Sequence, residues 1–176
     1  GSKNMGPVLR KYVEQHYASG KRDLYAAFIL RCVGLCKFGG RMSMVMPQTW
    51  MFQGSYAELR ASEEPNEQKK SVRKNRGLLR QTTMETLAQL GRHAFTEADP
   101  PSNVSMLVLT AKDPVEQHRL TCFRISASRP AEEQALLLRE SISLRGSMEL
   151  TFKPNQSDFL SISSYVICYW ALDVIG

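Results

Sequence analysis

The side chains best able to hold a metal ion are cysteines and histidines, and they are scattered along the chain. Cys32 and Cys36 are four residues apart, whereas Cys122 and Cys168 stand alone, and no histidine is close in sequence to a cysteine. A zinc site is built from ligand pairs at short spacing, with a second pair elsewhere in the chain. The sequence therefore predicts no metal site and favours buried thiols in a reducing compartment.

Positive charge is concentrated in one short segment, at Lys69, Lys70, Arg73, Lys74 and Arg76. The whole chain carries a formal net charge of +6, which permits a polyanionic partner without demonstrating one. Such a cluster could neutralise nucleic-acid phosphates, which gives salt-sensitive binding that does not read sequence. The alternative is a solvated loop or helix face, and both interpretations stay open.

Phe28 is a candidate for packing against a planar ligand, because it lies in an apolar helix that follows a plausible N-cap, Asp23. A phenylalanine at the junction of a helix and a sheet can place its ring against a purine. The alternative is a core position on one buried helical stripe. That stripe would consist of Leu24, Phe28, Cys32, Leu35 and Cys36, joined by Ala27 and Ile29.

The pattern of apolar residues predicts an α/β chain that would position these side chains. Helical spacing or helix caps predict helices at 7–18, 23–37, 55–60, 77–81 and about 130–141. Apolar runs predict strands at 41–46, 103–110 and 119–126, whereas 84–90 fits a strand or a helix.

The helix that ends at Gly39-Gly40 and the apolar segment 41–46 form the second half of a βαβ crossover. We therefore expect 41–46 to be a buried parallel strand that ends at Pro47, where ligands commonly sit in such sheets. Trp50, just beyond this end, could be exposed or buried, and a core position is favoured. Segments 103–110 and 119–126 are expected to pair as an antiparallel hairpin.

Three segments, in this order, resemble a known family. They are Asp23-Leu24-Tyr25-Ala26-Ala27-Phe28-Ile29, then Gly39-Gly40-Arg41-Met42-Ser43-Met44-Val45-Met46-Pro47-Gln48-Thr49-Trp50-Met51, then Leu90-Gly91-Arg92-His93-Ala94-Phe95. The chain resembles, over about residues 7–172, the gamma-class adenine-specific DNA methyltransferases. The similarity is greatest to the large enzymes of type IIG restriction–modification and of BREX phage defence, the PglX-like enzymes. Each motif is moderately specific, and their order and spacing make the set more so.

This resemblance implies the carboxyl-terminal part of a class I methyltransferase domain, with a partial Rossmann-like sheet and flanking helices. It implies S-adenosylmethionine as cofactor, with Asp23, Leu24 and Phe28 lining the pocket for its adenine. By the same resemblance, Phe95 corresponds to a second aromatic that stacks on the target base, although it could equally be a core residue at a strand end. The implied partner is double-stranded DNA.

Two sequence features of the family are absent from these 176 residues. One is the catalytic (N/D)-P-P-(Y/F) signature, and the other is the glycine-rich turn that binds the cofactor. Asp99-Pro100-Pro101-Ser102 looks similar to the signature, but Ser102 cannot stack on a base and its place in the chain is wrong, so a loop is favoured over the alternative of a permuted catalytic motif. The expected function is therefore a methyltransferase fragment that is inactive alone.

Two alternatives remain: one subunit of a split enzyme whose front half is another chain, or a non-catalytic module that binds nucleic acid or a partner. We expect residues 1–126 to be the back half of the catalytic domain, with 61–76 as a mobile basic insertion. Residues 127–176 would form a helical and mixed extension toward a target-recognition region.

The apolar stretches are too short to span a membrane and the N-terminus has no hydrophobic signal core, so a cytoplasmic location is expected. Half of a parallel sheet would expose an open edge, which predicts poor behaviour as a monomer.

Overall fold

The computed structural model describes residues 4–62, 76–91, 93–95, 103–125, 129–143 and 149–172. Within these ranges the α-helices are α1 (Pro7–His16), α2 (Leu24–Leu35), α3 (Ala57–Arg60), α4 (Leu78–Gln81) and α5 (Ala131–Ser143). The strands are β1 (Arg41–Pro47), β2 (Thr83–Gln89), β3 (Val104–Thr110), β4 (Thr121–Arg124) and β5 (Thr151–Phe152). Short 3-10 helices lie at Gln48–Met51, Gly54–Tyr56 and Gln156–Ser161, among others.

The described strands form one mixed sheet in the order β1-β3-β2-β4-β5. Strand β3 is antiparallel to both of its neighbours, β2 and β4 are parallel, and β4 and β5 are antiparallel. The α/β prediction is confirmed. The predicted hairpin between 103–110 and 119–126 is wrong, because β2 lies between β3 and β4. Nearness in sequence and alternation of apolar residues favour a hairpin, but they do not reveal a third strand inserted between two others.

Strand β1 differs from the buried parallel strand that the sequence predicts. Its neighbour among the described strands is β3, which runs antiparallel, so β1 is an edge strand. Its residues alternate in burial: Met42, Met44 and Met46 are partly or fully buried, whereas Arg41, Ser43 and Val45 are exposed. A dense apolar run cannot distinguish a strand covered on both faces from one covered on a single face.

The main core lies between α2 and one face of the sheet. It includes Trp50, which is fully buried as predicted. A second cluster, which includes Phe123, lies on the opposite face, and Leu137 and Leu138 of α5 pack against it. Among the helices in the described ranges, none combines the length and hydrophobicity that a bilayer crossing requires.

Helix α2 buries only a part of the predicted apolar surface. Ala26, Ala27 and Ile29 are buried, whereas Phe28 and Leu35 are 56% and 64% exposed. The predicted burial is therefore correct for Ala27 and Ile29 and wrong for Phe28 and Leu35. Gly20 shows the reason, since a Cβ atom there would lie 2.7 Å from the Ala27 nitrogen, so the chain before α2 approaches the helix on its small-residue side.

The four cysteines are not uniformly buried either. Cys122 lies in the core, whereas Cys32, Cys36 and Cys168 are partly exposed. The expectation of four buried thiols is therefore correct for Cys122 only. The other three lie on surfaces that this chain covers incompletely.

Ala61, which the sequence assigned to the insertion 61–76, is 1% exposed and belongs to the core, so the prediction is wrong for this residue. The Ser62 N–H donates to the Arg76 carbonyl at 3.0 Å, which joins the two ends of the segment. Gly77 has a φ of +79°, and a Cβ atom there would lie 2.4 Å from the Ala61 Cα, so only glycine fits this junction. Residues 63–75 lie outside the described residues.

Candidate functional site

The carboxyl ends of β1 and β2 lie at the same edge of the sheet, although β3 separates the two strands. Pro47 pairs with Val104, and Gln89 pairs with the adjacent Ser105, so both ends meet the start of β3. The three segments that carry the family resemblance all reach this edge. Side-chain hydrogen bonds join the first segment to the second and the second to the strand that leads into the third.

The first junction joins the start of α2 to the turn after β1. The hydroxyls of Tyr25 and Thr49 share a hydrogen bond of 2.9 Å, and the rings of Tyr25 and Tyr56 lie 5.8 Å apart. Burial raises the pKa of both tyrosines, and the negative charge of Asp23 adds to the shift. These phenols therefore stay neutral and act as hydrogen-bonding groups rather than as bases.

The second junction joins the turn after β1 to the end of β2. The Gln89 Nε2 donates to the Gln48 Oε1 at 2.8 Å. The Tyr169 hydroxyl lies 3.3 Å from the Gln89 Oε1 and 3.1 Å from the Phe123 carbonyl oxygen, within reach of both. The carboxyl-terminal segment thus supports the edge that carries the candidate site.

Sequence reasoning missed Gln48, Gln89 and Tyr169 as parts of this edge. A polar residue directly after the strand-ending Pro47 was the available signal for Gln48. Gln89 lies in a segment that fitted a strand or a helix, and Tyr169 was grouped with an apolar cluster, so neither gave a usable signal.

Asp23 stands at the N-cap position of α2 as predicted, but its side chain makes no capping hydrogen bond. Leu24 is partly buried against the small cluster of Met5, Val13 and Ala27. Phe28 lies four residues further along α2 and is 56% exposed, so the core alternative for Phe28 is wrong. Its ring is open to a ligand or to another part of a protein, and its predicted role in cofactor binding stays a prediction.

Phe95 is 43% exposed, so the core alternative for this residue is also wrong. The segment before it is held at two points. The Leu90 N–H donates to the Val104 carbonyl at 2.9 Å, and the Gly91 N–H donates to the Gln134 Oε1 of α5 at 2.9 Å. Its role in base stacking stays a prediction.

Arg76 is the basic-cluster residue that the structure describes. Its guanidinium forms a 2.6 Å ion pair with Asp113. Asp113 follows the carboxyl end of β3 and therefore lies at the edge opposite to the carboxyl ends of β1 and β2. The other basic positions, Lys69, Lys70, Arg73 and Lys74, fall outside the described residues, as does the segment 99–102.

Comparisons with known proteins show which family this chain resembles. The model of the Eco57I restriction-modification methylase family matches residues 1–88. The adenine-specific methyltransferase BrxX of Escherichia coli O9:H4 (strain HS) is 25% identical over 171 residues, which cover 97% of this chain and 12% of BrxX. The adenine-specific methyltransferase PglX of Lacticaseibacillus casei (strain Zhang) is 25% identical over 175 residues, which cover 97% of this chain and 13% of PglX.

A solved structure shares the fold. It is a modification subunit, from a candidate type I restriction enzyme of Vibrio vulnificus YJ016, with a TM-score of 0.52 and 18% identity. The match covers 76% of this chain and 28% of that subunit, so the chain corresponds to a part of a larger class I methyltransferase fold. The family model covers half of the chain, which confirms the resemblance found in the motifs. This chain belongs to the Eco57I restriction-modification methylase family.

Proposed function

We propose that this chain forms the carboxyl-terminal part of the catalytic domain of an adenine-specific DNA methyltransferase. The observation that carries the proposal is the convergence of the three motif segments at one sheet edge. The Tyr25–Thr49 and Gln48–Gln89 hydrogen bonds produce this convergence from positions far apart in sequence. Ligands in open α/β sheets bind beyond the carboxyl ends of the strands, which is the edge in question.

The proposed reaction transfers a methyl group to the exocyclic amino nitrogen of an adenine. The nitrogen would bond to the methyl carbon as the bond from that carbon to the cofactor's sulfur breaks, the electron pair of that bond would neutralise the sulfur, and the amino group would give one proton to solvent. S-adenosylmethionine supplies the methyl group on a positively charged sulfur. The adenine must leave the base stack to be reached, so the site needs an aromatic surface to receive it.

Residues at the start of α2 fit the adenosine portion of this cofactor. The Phe28 ring is more than half exposed and offers an aromatic surface to a purine. Asp23 stands at the start of α2, and a carboxylate suits the hydroxyl and amino donors of an adenosine. Leu24 contributes an apolar wall next to Phe28. We propose these residues as the cofactor-binding contribution of this chain.

Phe95 is proposed as an aromatic surface for the extruded base. Its exposed ring follows a segment that β3 and α5 hold in place. The proposed contacts to DNA phosphates come from the basic cluster, which consists of Lys69, Lys70, Arg73, Lys74 and Arg76. Arg76 would make such a contact only after its ion pair with Asp113 has broken. The glycine-rich turn and the (N/D)-P-P-(Y/F) signature, absent from these residues, would come from another segment of the methyltransferase.

A substitution at Phe95 tests this function in the methyltransferase polypeptide or complex that contains this chain. Stacking on an aromatic ring stabilises a base by about 1–3 kcal/mol, so Phe95→Ala should weaken methyl transfer by roughly 5–150-fold. Phe95→Tyr keeps the ring and should retain most of the activity. The measurement is kcat/KM for methyl transfer to a duplex, together with fluorescence of a base analogue placed at the target adenine.

Phe38→Ala is the matched control, because Phe38 is also an exposed phenylalanine, at 88%, but it precedes the opposite end of β1. Its activity should equal that of the unmodified enzyme. Unchanged kcat/KM and unchanged analogue fluorescence in Phe95→Ala would contradict the proposed role of Phe95 in holding the base.

A further inference from the structure

Arg124 is the last residue of β4, and its position brings a positive charge to the edge that carries the candidate site. β2 and β4 are parallel and Gln89 pairs with Arg124, so the two strands end side by side. The Ile125 N–H donates to the Gln89 carbonyl at 2.9 Å, which continues the pairing by one residue. The segment that leads to Phe95 leaves β2 at this point. Arg124 therefore lies beside the origin of the segment that presents the Phe95 ring.

The guanidinium of Arg124 lies over an aromatic ring. Its Cζ atom is 4.2 Å from the centroid of the Trp170 ring, which is within the range of a cation–π interaction. Trp170 is partly buried against the main core and makes edge-to-face contacts with Tyr169 and Phe52, at centroid distances of 5.1 and 5.6 Å. These contacts hold the Arg124 side chain in one place, so it loses less rotational freedom when it binds a ligand.

The charge of Arg124 is not neutralised within the described part of the chain. The side chain is exposed. The ion pairs within the described ranges join Arg76 to Asp113 and Arg129 to Glu133, so neither of them involves Arg124. A guanidinium carries five N–H donors in a planar fork that matches the oxygens of a phosphate or a carboxylate. The stacked and exposed Arg124 side chain is therefore suited to binding such an oxyanion.

The order of the strands separates Arg124 from the residues proposed to bind the cofactor. Those residues belong to the start of α2, the helix that leads into β1, and both β3 and β2 lie between β1 and β4. Neighbouring strands lie about 4.8 Å apart, so three steps across the sheet separate β1 from β4 by roughly 14 Å. Arg124 is therefore on the side of the proposed base-stacking Phe95, which favours a DNA phosphate over the carboxylate of the cofactor.

We propose that Arg124, held in place by Trp170, binds a phosphate group next to the target adenine. This inference rests on the proposed function. An adenine leaves the base stack by rotation about its backbone, so a cation that holds the adjacent phosphate positions the nucleotide for entry into the site. Phosphate contacts fix the position of a protein on DNA and do not read sequence. Arg124 therefore contributes to affinity and to placement of the base, and it does not choose the recognition sequence.

The salt dependence of DNA binding tests the proposal in the methyltransferase polypeptide or complex that contains this chain. Each phosphate that the protein neutralises adds about 0.9 to the slope of log Kd against log salt concentration. Arg124→Gln should remove this amount of slope for duplexes with and without the target sequence, whereas Arg124→Lys keeps the charge and should keep the slope. Arg119→Gln is the matched control and should leave the slope unchanged, because Arg119 is an exposed arginine that precedes the opposite end of β4.

A methylphosphonate in the DNA identifies the phosphate that Arg124 contacts. This group replaces one charged oxygen of a phosphate with a methyl group, and it is placed in turn at the phosphates on either side of the target adenine. At one of these positions it should weaken binding by the protein with Arg124. Binding by Arg124→Gln should not be weakened further at that position, because the variant has already lost the contact.

Trp170→Phe tests whether the indole ring positions Arg124. Tryptophan gives the strongest cation–π interaction, so the smaller ring should weaken DNA binding. The same substitution should have no further effect in a protein that already carries Arg124→Gln, since both changes act through one contact. An equal loss in both backgrounds would show that Trp170 acts on DNA binding without Arg124 and would refute its positioning role.

An unchanged salt slope in Arg124→Gln would overturn the proposal, as would a methylphosphonate effect that is the same with and without Arg124. A raised KM for S-adenosylmethionine with unchanged DNA binding would assign Arg124 to the carboxylate of the cofactor instead. Absence of DNA binding and of methyl transfer in the unsubstituted protein would refute the proposed function as well. An unchanged slope in Arg124→Gln together with the expected loss of activity in Phe95→Ala would refute the role of Arg124 alone.

Discussion

Arg60 is a charged side chain with no exposed surface, and its described partners are backbone carbonyl oxygens. Its Nη1 donates to the Trp50 and Gln53 carbonyls at 2.5 and 2.9 Å, and its Nη2 donates to the Ser164 carbonyl at 2.7 Å. Burial lowers its pKa to about 10. This value is still well above 7, so the guanidinium stays charged at neutral pH. One side chain therefore joins the turn after β1 to the carboxyl-terminal segment.

Arg60→Met is expected to lower the free energy of unfolding by roughly 2–4 kcal/mol, because it leaves buried carbonyl groups without donors. Urea denaturation of this chain measures the change. Arg31→Met, at an exposed position on α2, is the control and should leave the midpoint nearly unchanged. Equal midpoints for the two variants would show that Arg60 does not hold these segments together.

Tyr25 and Tyr169 predict how stability depends on alkaline pH. Burial raises the pKa of each phenol above its ordinary value near 10. The unfolded chain loses these protons as the pH rises through about 10, while the folded chain retains them, so stability is present below this pH and is lost above it. The lowered folded-state pKa of Arg60 has the opposite effect, because it makes stability rise with pH above about 10. This single group is outnumbered by the two tyrosines, so the net expectation is a loss of stability.

Tyrosinate absorbance during an alkaline titration tests this expectation. The signals of Tyr25 and Tyr169 should appear together with unfolding, and Tyr169→Phe should reduce the loss of stability between neutral and alkaline pH. Ionisation of both phenols in a chain that is still folded would contradict it.

Single residues differed in how well the sequence predicted them. A core position was favoured for Trp50, because it follows the end of an apolar strand and has a large apolar ring, and Trp50 is buried. Phe28 and Phe95 could not be placed, because burial depends on which surfaces the rest of the protein covers. The contact between Gln48 and Gln89 could not be predicted, since a hydrogen bond between two amides at distant positions leaves no local pattern.

At the level of elements, Gln156 attaches the carboxyl-terminal 3-10 helix Gln156–Ser161 to the sheet. Its Oε1 accepts from the Met84 N–H at 2.8 Å, and its Nε2 donates to the Leu79 and Thr82 carbonyls at 2.9 and 2.7 Å. β2 is irregular between Met84 and Thr86, and its pairing with β4 begins only at Thr86. Gln156 thus accepts the hydrogen bond of the Met84 N–H, which lies before the first residue of β2 that pairs with β4.

Gln156→Leu should destabilise the chain by about 2–4 kcal/mol, because it leaves a buried N–H and two buried carbonyls unsatisfied. Denaturation midpoints measure the loss, with the exposed Gln15→Leu on α1 as the control. The same variant should also speed amide exchange at Met84, which a general loss of packing would not do selectively. Normal protection at Met84 in Gln156→Leu would contradict this account.

The sequence predicted α1, α2 and α5 well, because helical spacing is a local property that one segment shows by itself. It could not predict the order of the strands. β2 has too few β-branched residues to be separated from a helix, and its insertion between β3 and β4 depends on contacts between distant segments. The sequence did not predict the alternating exposure of β1, because Val45 is apolar although it lies on the exposed face of the strand.

At the level of the whole molecule, family membership and fold were predictable because the three motifs are ordered and spaced in a characteristic way. The sequence predicted that a partial sheet has an open edge. The pairing of Val45 with Met106 became known only from the register of the sheet. The edge of β1 and the Phe28 ring are surfaces that the described part of this chain leaves exposed.

Calorimetric titration of S-adenosylmethionine tests the central claim most directly. It is carried out on this chain and then on the larger product that includes the upstream sequence. We predict no binding by the 176-residue chain and clear binding by the larger product, with Phe28→Ala weakening that binding. Binding of S-adenosylmethionine by this chain alone would contradict the account, because it would show that these residues already contain a complete cofactor site.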